Sequence, residues 1–402
     1  MTQNHKYNIL MFNMSDYKDW QEKGIVNRNY FILHELVKRN EVNRIVAVDF
    51  LPYNKKRALK SFFKNQSGII KKRVVKRGLT WTLFQINEKL YNLNLINSGF
   101  NLHRDSFNRK LLKTLSYIQF YDFINWSYIP TDINYYNMHS RLDIFDAVDN
   151  WAEHPNYKGM KNKILSNYEY IDRNADIIFT VSKEMKKVFK TNKNVHWVPN
   201  GIDIGHFNKK EADKGLKDIN KIKPPIIGYV GIIQNRLDVK LIEYLVEKNP
   251  KKSFVFIGSI WPDINISKLK KFKNVHFLGY KKYNQMPMYI SKFSIAIIPH
   301  KINKFTESMN PMKLYEYMAA GKPIVSTKIA GVGEFKDFVD VAENKKEFHD
   351  KINKAICEIN PQIEEKRKVM LSKHTWEVRV DKMLRIIKKN KKKDNGTNNN
   401  HS

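Results

Sequence analysis

Asn310-Pro311-Met312-Lys313-Leu314-Tyr315-Glu316-Tyr317-Met318-Ala319-Ala320-Gly321-Lys322-Pro323-Ile324-Val325 decides how this chain is read. Asn310 suits an N-cap, Pro311 the first helical position and Gly321 the residue just past the end, so the stretch predicts a helix over Met312–Ala320 that runs into a strand at Pro323–Thr327. A strand and a loop come directly before it. The first N–H groups of such a helix lack intrahelical partners and its dipole is positive there, which makes an anion site at the mouth of a sheet. Lys313 and Glu316 lie three apart and share a face. A carboxylate one turn inside the helix is placed to accept two hydroxyl hydrogen bonds from a ribose while phosphates lie at the helix start. The plainer alternative is an exposed i,i+3 ion pair that stabilises by a few tenths of a kcal/mol.

Outward from this helix, short apolar runs alternate with longer helical stretches. Strands are expected at Tyr7–Phe12, Arg44–Phe50, Phe120–Trp126, Leu142–Val148, Asp176–Val181 and Val195–Val198, and helices at Ile25–Arg39 and Ile164–Arg173. After the turn signature Pro199-Asn200-Gly201 and a lysine-rich polar stretch, the alternation restarts. Strands then fall at Ile226–Ile233, Ser253–Ile260, Val275–Tyr280 and Ser294–Pro299, with helices at Val239–Lys248, Tyr283–Ser291, Lys345–Ile359 and Trp376–Lys389. The fold class is α/β, two Rossmann-like doubly wound domains, 1–200 and 201–375, facing a central cleft. Residues 376–389 form a closing helix that returns to the first domain, and 390–402 a disordered basic and polar tail. Ligands of open parallel sheets bind outside the carboxyl ends of the strands, so the site is expected in the cleft.

At roughly 150 residues per domain, 402 residues give two domains or three, and 42% hydrophobic with 12% aromatic residues suffices for real cores. Cys357 is the lone cysteine, which excludes an internal disulfide, a zinc finger or a redox pair and fits a reducing cytoplasm. No apolar run approaches the ~20 residues of a membrane span, and Met1 to Asp19 contains no signal-type apolar core. The charge is extreme: 72 Lys and Arg against 40 Asp and Glu, a net +32. Such a surface seeks nucleic acid, an anionic membrane leaflet or a phosphate-rich substrate. AT-biased coding, which enriches Lys, Asn and Ile together, is the bland alternative.

The Asn310–Val325 stretch, together with Val198-Pro199-Asn200-Gly201-Ile202-Asp203 and Ile226-Ile227-Gly228-Tyr229-Val230-Gly231, resembles family 4 glycosyltransferases of the GT-B fold. It looks most like the bacterial group that works on cell-surface polysaccharides, teichuronic acid glycosyltransferases among them. The resemblance implies a retaining transfer of a sugar from a nucleotide-diphosphate donor to a glycan or lipid-linked acceptor, with the donor held mainly by the second half. It implies a ribose contact for Glu316 and donor contacts for Asn310, Met312 and Lys313. A first motif glutamate is expected eight positions earlier, where this chain has Ser308, with Glu307 one residue out of register. Arg236 and Lys240, after Gly231, are candidates for clamping the pyrophosphate, and a solvated helix start is the alternative. His300, at the end of Ser294–Pro299, is a candidate phosphate donor or simply a structural His.

The chemistry is consistent without the family. Sugar transfer passes through an oxocarbenium-like state while negative charge builds on the departing diphosphate, so fixed cations and helix N–H groups are the groups it needs. No Asp-x-Asp occurs, so no metal is expected, and neither a Gly-x-Gly-x-x-Gly after a strand nor a P-loop is present.

In the first half, Asp149 follows the strand Leu142–Val148; it is either an acceptor-orienting acid/base or an N-cap. With period-2 geometry Asp143, Asp146 and Asp149 do not all share one face of the strand, so no metal cluster is expected there. Gly24 and Arg28 are candidates to close over the donor phosphates, or a surface helix start. No acidic residue lies between Phe50 and Asn87, while basic residues from Lys55 to Arg77 interleave with apolar ones; this predicts a peripheral anchor on an anionic membrane, or a solvated loop. The expected protein is therefore cytoplasmic, peripheral on the inner face of the plasma membrane and without a specific nucleic-acid partner. A basic nucleic-acid-binding protein and a noncatalytic nucleotide-sugar binder are the alternatives.

Overall fold

A computed structural model describes residues 6–50, 63, 73–95, 104–133, 136, 138–207, 216–357 and 361–397. The chain divides into two compact units, Met1–Val198 with Val380–Ser402, and Pro199–Arg379.

The first unit is built on β1 (Tyr7–Asn13), β2 (Val42–Phe50), β3 (Arg73–Gly78), β4 (Trp81–Gln85), β5 (Leu90–Leu95), β6 (Phe123–Ser127), β7 (Leu142–Ala147), β8 (Ile177–Thr180) and β9 (Val195–Trp197). Their order is β3-β4-β5-β2-β1-β6-β7-β8-β9. From β5 to β9 every pairing is parallel, whereas β4 and β3 are added antiparallel at one edge. The central strands read as unbroken apolar runs because both sheet faces are covered; Ile9 to Phe12 and Ile45 to Val48 are all buried. The first helix begins at Arg28, not Ile25, because extended Asn27 caps it by accepting from the Tyr30 N–H at 3.0 Å.

Two expectations for this unit need correction. Much of the proposed anchor, residues 55–62 and 64–72, lies outside the described residues, but its end is not a loop. Arg73–Gly78 is the edge strand β3, joined to β4 by the two residues Leu79 and Thr80. The last helix does not stop at Lys389: Trp376–Thr397 runs through the stretch read as a tail. Lys388, Lys389, Lys391, Lys392 and Lys393 are good helix formers, and propensity favours continuing the helix through them.

The second unit contains β10 (Ile226–Val230), β11 (Ser253–Ile257), β12 (Val275–Gly279), β13 (Ile295–Ile298), β14 (Ile324–Thr327) and β15 (Asp340–Ala342), in the all-parallel order β12-β11-β10-β13-β14-β15. The order reverses between β10 and β13. That is the topological switch point, and a doubly wound sheet opens a crevice outside the carboxyl ends there.

Asp49, near the end of β2, shows how the first unit treats polar groups at that rim. It is buried and accepts from Asn13 Nδ2 at 3.1 Å and from the Tyr17 N–H at 2.9 Å. Burial, and secondarily Asp16, push its carboxyl up to about 7 from an ordinary 3.8. The folded chain keeps a proton there that the unfolded chain releases, so this contribution to stability is complete below pH ~4 and is lost as pH rises toward 7. Asp49→Asn keeps the shape without the charge. Urea unfolding should find the variant about 2–4 kcal/mol more stable than the parent at pH 8, with the advantage gone at pH 4. A difference independent of pH would refute the assignment.

Candidate functional site

At the end of β10 the chain turns through Gly231, whose φ of 132° is closed to most side chains; a Cβ there would sit 2.8 Å from Lys313 Nζ. Gly258, at the end of β11 with φ 148°, is under the same restriction, since a Cβ would lie 2.1 Å from the Gly231 carbonyl oxygen. These bare positions let the Lys313 ammonium reach the strand end.

The loop after β10 is tied to the chain leaving β13. The Asp238 N–H donates to the Pro299 carbonyl at 2.9 Å and the Lys301 N–H to that of Arg236 at 2.8 Å, and Leu237 pairs with His300. Arg236 and His300 are thereby held at the switch point. With its amide turned so that oxygen faces the guanidinium, Gln234 accepts from Arg236 Nε at 2.6 Å.

Tyr229, on β10, joins the pieces. Lys313 Nζ donates to its hydroxyl at 2.7 Å and stands 4.2 Å from the ring centroid, while His300 Nε2 lies 3.5 Å from the same hydroxyl. Among the described residues no carboxylate forms an ion pair with Lys313 or Arg236. Burial first and Arg236 second hold the Lys313 ammonium well below its usual range, against the pull of Glu316. Burial, then Lys313 and Arg236, drive His300 well below its ordinary value, so it is a neutral imidazole. Its Nδ1 is buried without a hydrogen-bond partner. Glu316 is 9% exposed, and burial lifts its carboxyl to about 7 although Lys313 opposes this. The cluster is therefore a positive, half-desolvated rim with a poised carboxylate one turn along.

The Met312–Ala319 helix ends as its sequence predicts. Gly321, at φ 70°, donates to the Met318 carbonyl at 3.1 Å and Lys322 to that of Tyr317 at 3.0 Å, a Schellman motif. Its start differs from the expectation. Pro311 occupies the cap position and Asn310 does not cap. Instead the Asn310 side-chain oxygen accepts from the Asn200 N–H at 2.8 Å and from the Tyr315 hydroxyl at 3.1 Å, while Asn200 Nδ2 donates to the Asn310 carbonyl at 2.6 Å. Asn310 is thus committed to fastening the loop before the helix. Met312 is the first helical residue and half-buried.

The remaining candidates separate. Lys240 is exposed, because its helix turns Leu241, Ile242, Leu245 and Val246 inward, and it does not join the cluster. Glu307 is exposed too, whereas Ser308 is turned in and donates to the Phe305 carbonyl at 2.8 Å. In the first unit Asp149 lies two residues beyond β7, half-buried, with its carbonyl accepting from the Tyr168 hydroxyl at 3.2 Å. Arg28 is no surface cation: it is fully buried and donates to Asp146 Oδ1 at 2.9 Å. Burial raises the Asp146 carboxyl to about 6 in spite of Arg28. Tyr229 and Gln234 escaped the sequence reading, for a Tyr inside an apolar strand looks like core.

Residues 224–358 match the family described as glycosyl transferases group 1. TuaH of Bacillus subtilis, whose name assigns it to teichuronic acid biosynthesis, is 27% identical over 208 residues, 48% of this chain and 52% of TuaH. An uncharacterised glycosyltransferase of Methanocaldococcus jannaschii is 24% identical over 233 residues, 54% of this chain and 61% of that protein. The chain thus spans little more than half the length of these curated relatives. Among solved structures, HepE of Anabaena with UDP and glucose aligns over 96% of this chain and all of its own, with a TM-score of 0.64 at 14% identity. A UDP-forming trehalose-phosphate synthase of Burkholderia vietnamiensis aligns over 97% of this chain and 100% of its own, at 0.66 and 11%. The fold is GT-B, as its sequence resemblance implies.

A pH dependence follows from the two poised groups. A ribose diol donates more strongly to an ionised acceptor than to a neutral one, so if Glu316 takes the ribose, affinity for a nucleoside diphosphate should fall as pH drops through about 7. It should also fall as rising pH removes the Lys313 proton, which burial and Arg236 loosen from its ordinary hold. Calorimetry across pH should therefore give a bell, and Glu316→Gln should remove its acid limb alone. An unchanged acid limb in that variant would reject the ribose contact.

Proposed function

We propose that this chain is a glycosyltransferase that moves a sugar, with retention of anomeric configuration, from a nucleoside-diphosphate donor to a glycan or lipid-linked acceptor of a bacterial surface polysaccharide. One observation carries the reading: at the switch point of the second unit Lys313 is held on the Tyr229 hydroxyl within reach of the Arg236 charge, and among the described residues neither forms an ion pair with a carboxylate. Two cations so placed repel each other, and a diphosphate between them removes the repulsion. The same ions stabilise the diphosphate as the bond to the sugar breaks, when its charge grows and the sugar becomes oxocarbenium-like. Neutral His300 and the start of the Met312–Ala319 helix add N–H donors, and Glu316 takes the ribose. Asp149 orients the acceptor hydroxyl. The name of TuaH and the UDP held by HepE support the reaction class and the donor class.

No metal is required in this scheme, since the cations that neutralise the leaving group belong to the chain. In keeping with a lipid-linked acceptor, the enzyme works peripherally at the inner face of the plasma membrane through its basic Lys55 to Arg77 region. Among the described residues, no helix is long and apolar enough to cross a membrane.

Ser308 favours a second reading, a noncatalytic sugar-nucleotide binder. Its hydroxyl is spent on the Phe305 carbonyl and leaves no carboxylate at that position for the sugar.

Thermal stabilisation by a panel of nucleotide sugars identifies the donor, and release of the free nucleoside diphosphate separates the two readings. Glu316→Ala should weaken donor binding by about 1.5–3 kcal/mol, and Lys313→Ala by at least as much. Turnover should survive EDTA. Wild-type affinity in both variants would refute the donor site, and activity abolished by EDTA and restored by manganese would refute the metal-free scheme.

A further inference from the structure

The edge of the first unit's sheet carries a compact amphiphilic surface. Leu79, at the tip of the β3–β4 turn, is 99% exposed. Behind it Trp81 stacks on Tyr117, with centroids 5.9 Å apart and planes at 27°, and the Lys76 ammonium stands 5.2 Å from the Tyr117 centroid. Lys110, from the helix Arg104–Ser116, donates to the Thr80 hydroxyl and so fastens the turn to that helix. Arg73, Lys76, Arg77 and Lys113 are exposed around this group, and Val74 is 46% exposed. An edge strand with both faces open normally carries charge to deter pairing, which explains Arg73, Lys76 and Arg77 but not a bare Leu at the apex. An exposed leucine at the apex, an aromatic pair one step back and a collar of cations form the layered order of a bilayer interface: acyl chain, carbonyl and headgroup, phosphate.

The geometry points to the β3–β4 hairpin as a membrane wedge, which inserts Leu79 into an anionic leaflet, sets Trp81 and Tyr117 at headgroup depth and pairs Lys76, Arg77 and Lys110 with lipid phosphates. This rests on the peripheral-membrane reading above and assigns the contact to residues 73–81 and their helix. A nucleic acid would need an open aromatic face for its bases. The Trp81–Tyr117 pair closes one face of each ring, and an aliphatic apex offers a base nothing.

Sedimentation of the full chain with vesicles of 70% phosphatidylcholine and 30% phosphatidylglycerol tests it. The parent should bind, and Leu79→Asp should bind at least tenfold more weakly. Arg73→Ala, Lys76→Ala and Arg77→Ala together should lose roughly fivefold per cation, about a hundredfold in all. Because Leu79 is exposed, its substitution leaves folding intact, as an unchanged unfolding temperature would register. A nitroxide on Leu79→Cys in a Cys357→Ser background should gain access to oxygen and lose access to an aqueous nickel complex when vesicles are added. A parent that ignores the vesicles, or leaves them for single-stranded oligonucleotide at equal charge, overturns both the membrane reading and the wedge. Binding that persists in Leu79→Asp, with the label still aqueous, overturns the wedge alone.

Discussion

Burial of the Lys313 ammonium near the charge of Arg236 sets the character of the second unit's switch point. Lys313 is half-buried beside Arg236, and its ammonium is destabilised first by burial and then by that neighbour. A folded protein discharges such a conflict by pairing the charge, by deprotonating the lysine or by reserving the place for an anion. The surroundings fit the third course. Gly231 and Gly258 give up side chains so that the ammonium reaches the strand end, Tyr229 holds it from below, and the bridge of Leu237 to His300 fixes the loop that brings Arg236.

The first unit handles the same rim in the opposite way. Asp49 is enclosed by donors and Asp146 is compensated by a wholly buried Arg28, so its charged groups are neutralised internally. Breaking such a pair is expensive, about 3–5 kcal/mol, and this places Arg28 among the residues that hold the fold. The contrast is informative about division of labour. An anion gains little from a sheet end whose charges are already balanced, and much from one that carries excess positive charge.

Legibility in the sequence followed the range of the interactions. The strand–helix alternation and the Gly321 stop are local, set by periodicity and by the one residue type at ease with positive φ, and both were readable. Asn310 looked like a cap because capping and tertiary fastening use the same side-chain amide; only the distant Asn200 decides between them. Arg28 was read as surface because its partner lies 118 residues away. β3 has no strand signal because an edge strand open on both faces lacks the alternation that marks a half-buried one, so Arg-Val-Val-Lys-Arg reads as loop. Tyr229 had no local signal, for its hydroxyl acts beyond the strand that buries its ring.

Ser308 bears on selectivity more than on binding. With its hydroxyl committed to the Phe305 carbonyl, Ser308 offers no carboxylate to a sugar hydroxyl at that position, and the donor contacts proposed for Lys313, Arg236 and Glu316 do not depend on it. A site that hydrogen-bonds a hydroxyl rejects sugars lacking it because its own polar group would be left unpaired. A site without that group has less to lose from the wrong sugar. In the proposed scheme the residues at this rim therefore discriminate nucleotides more sharply than sugars.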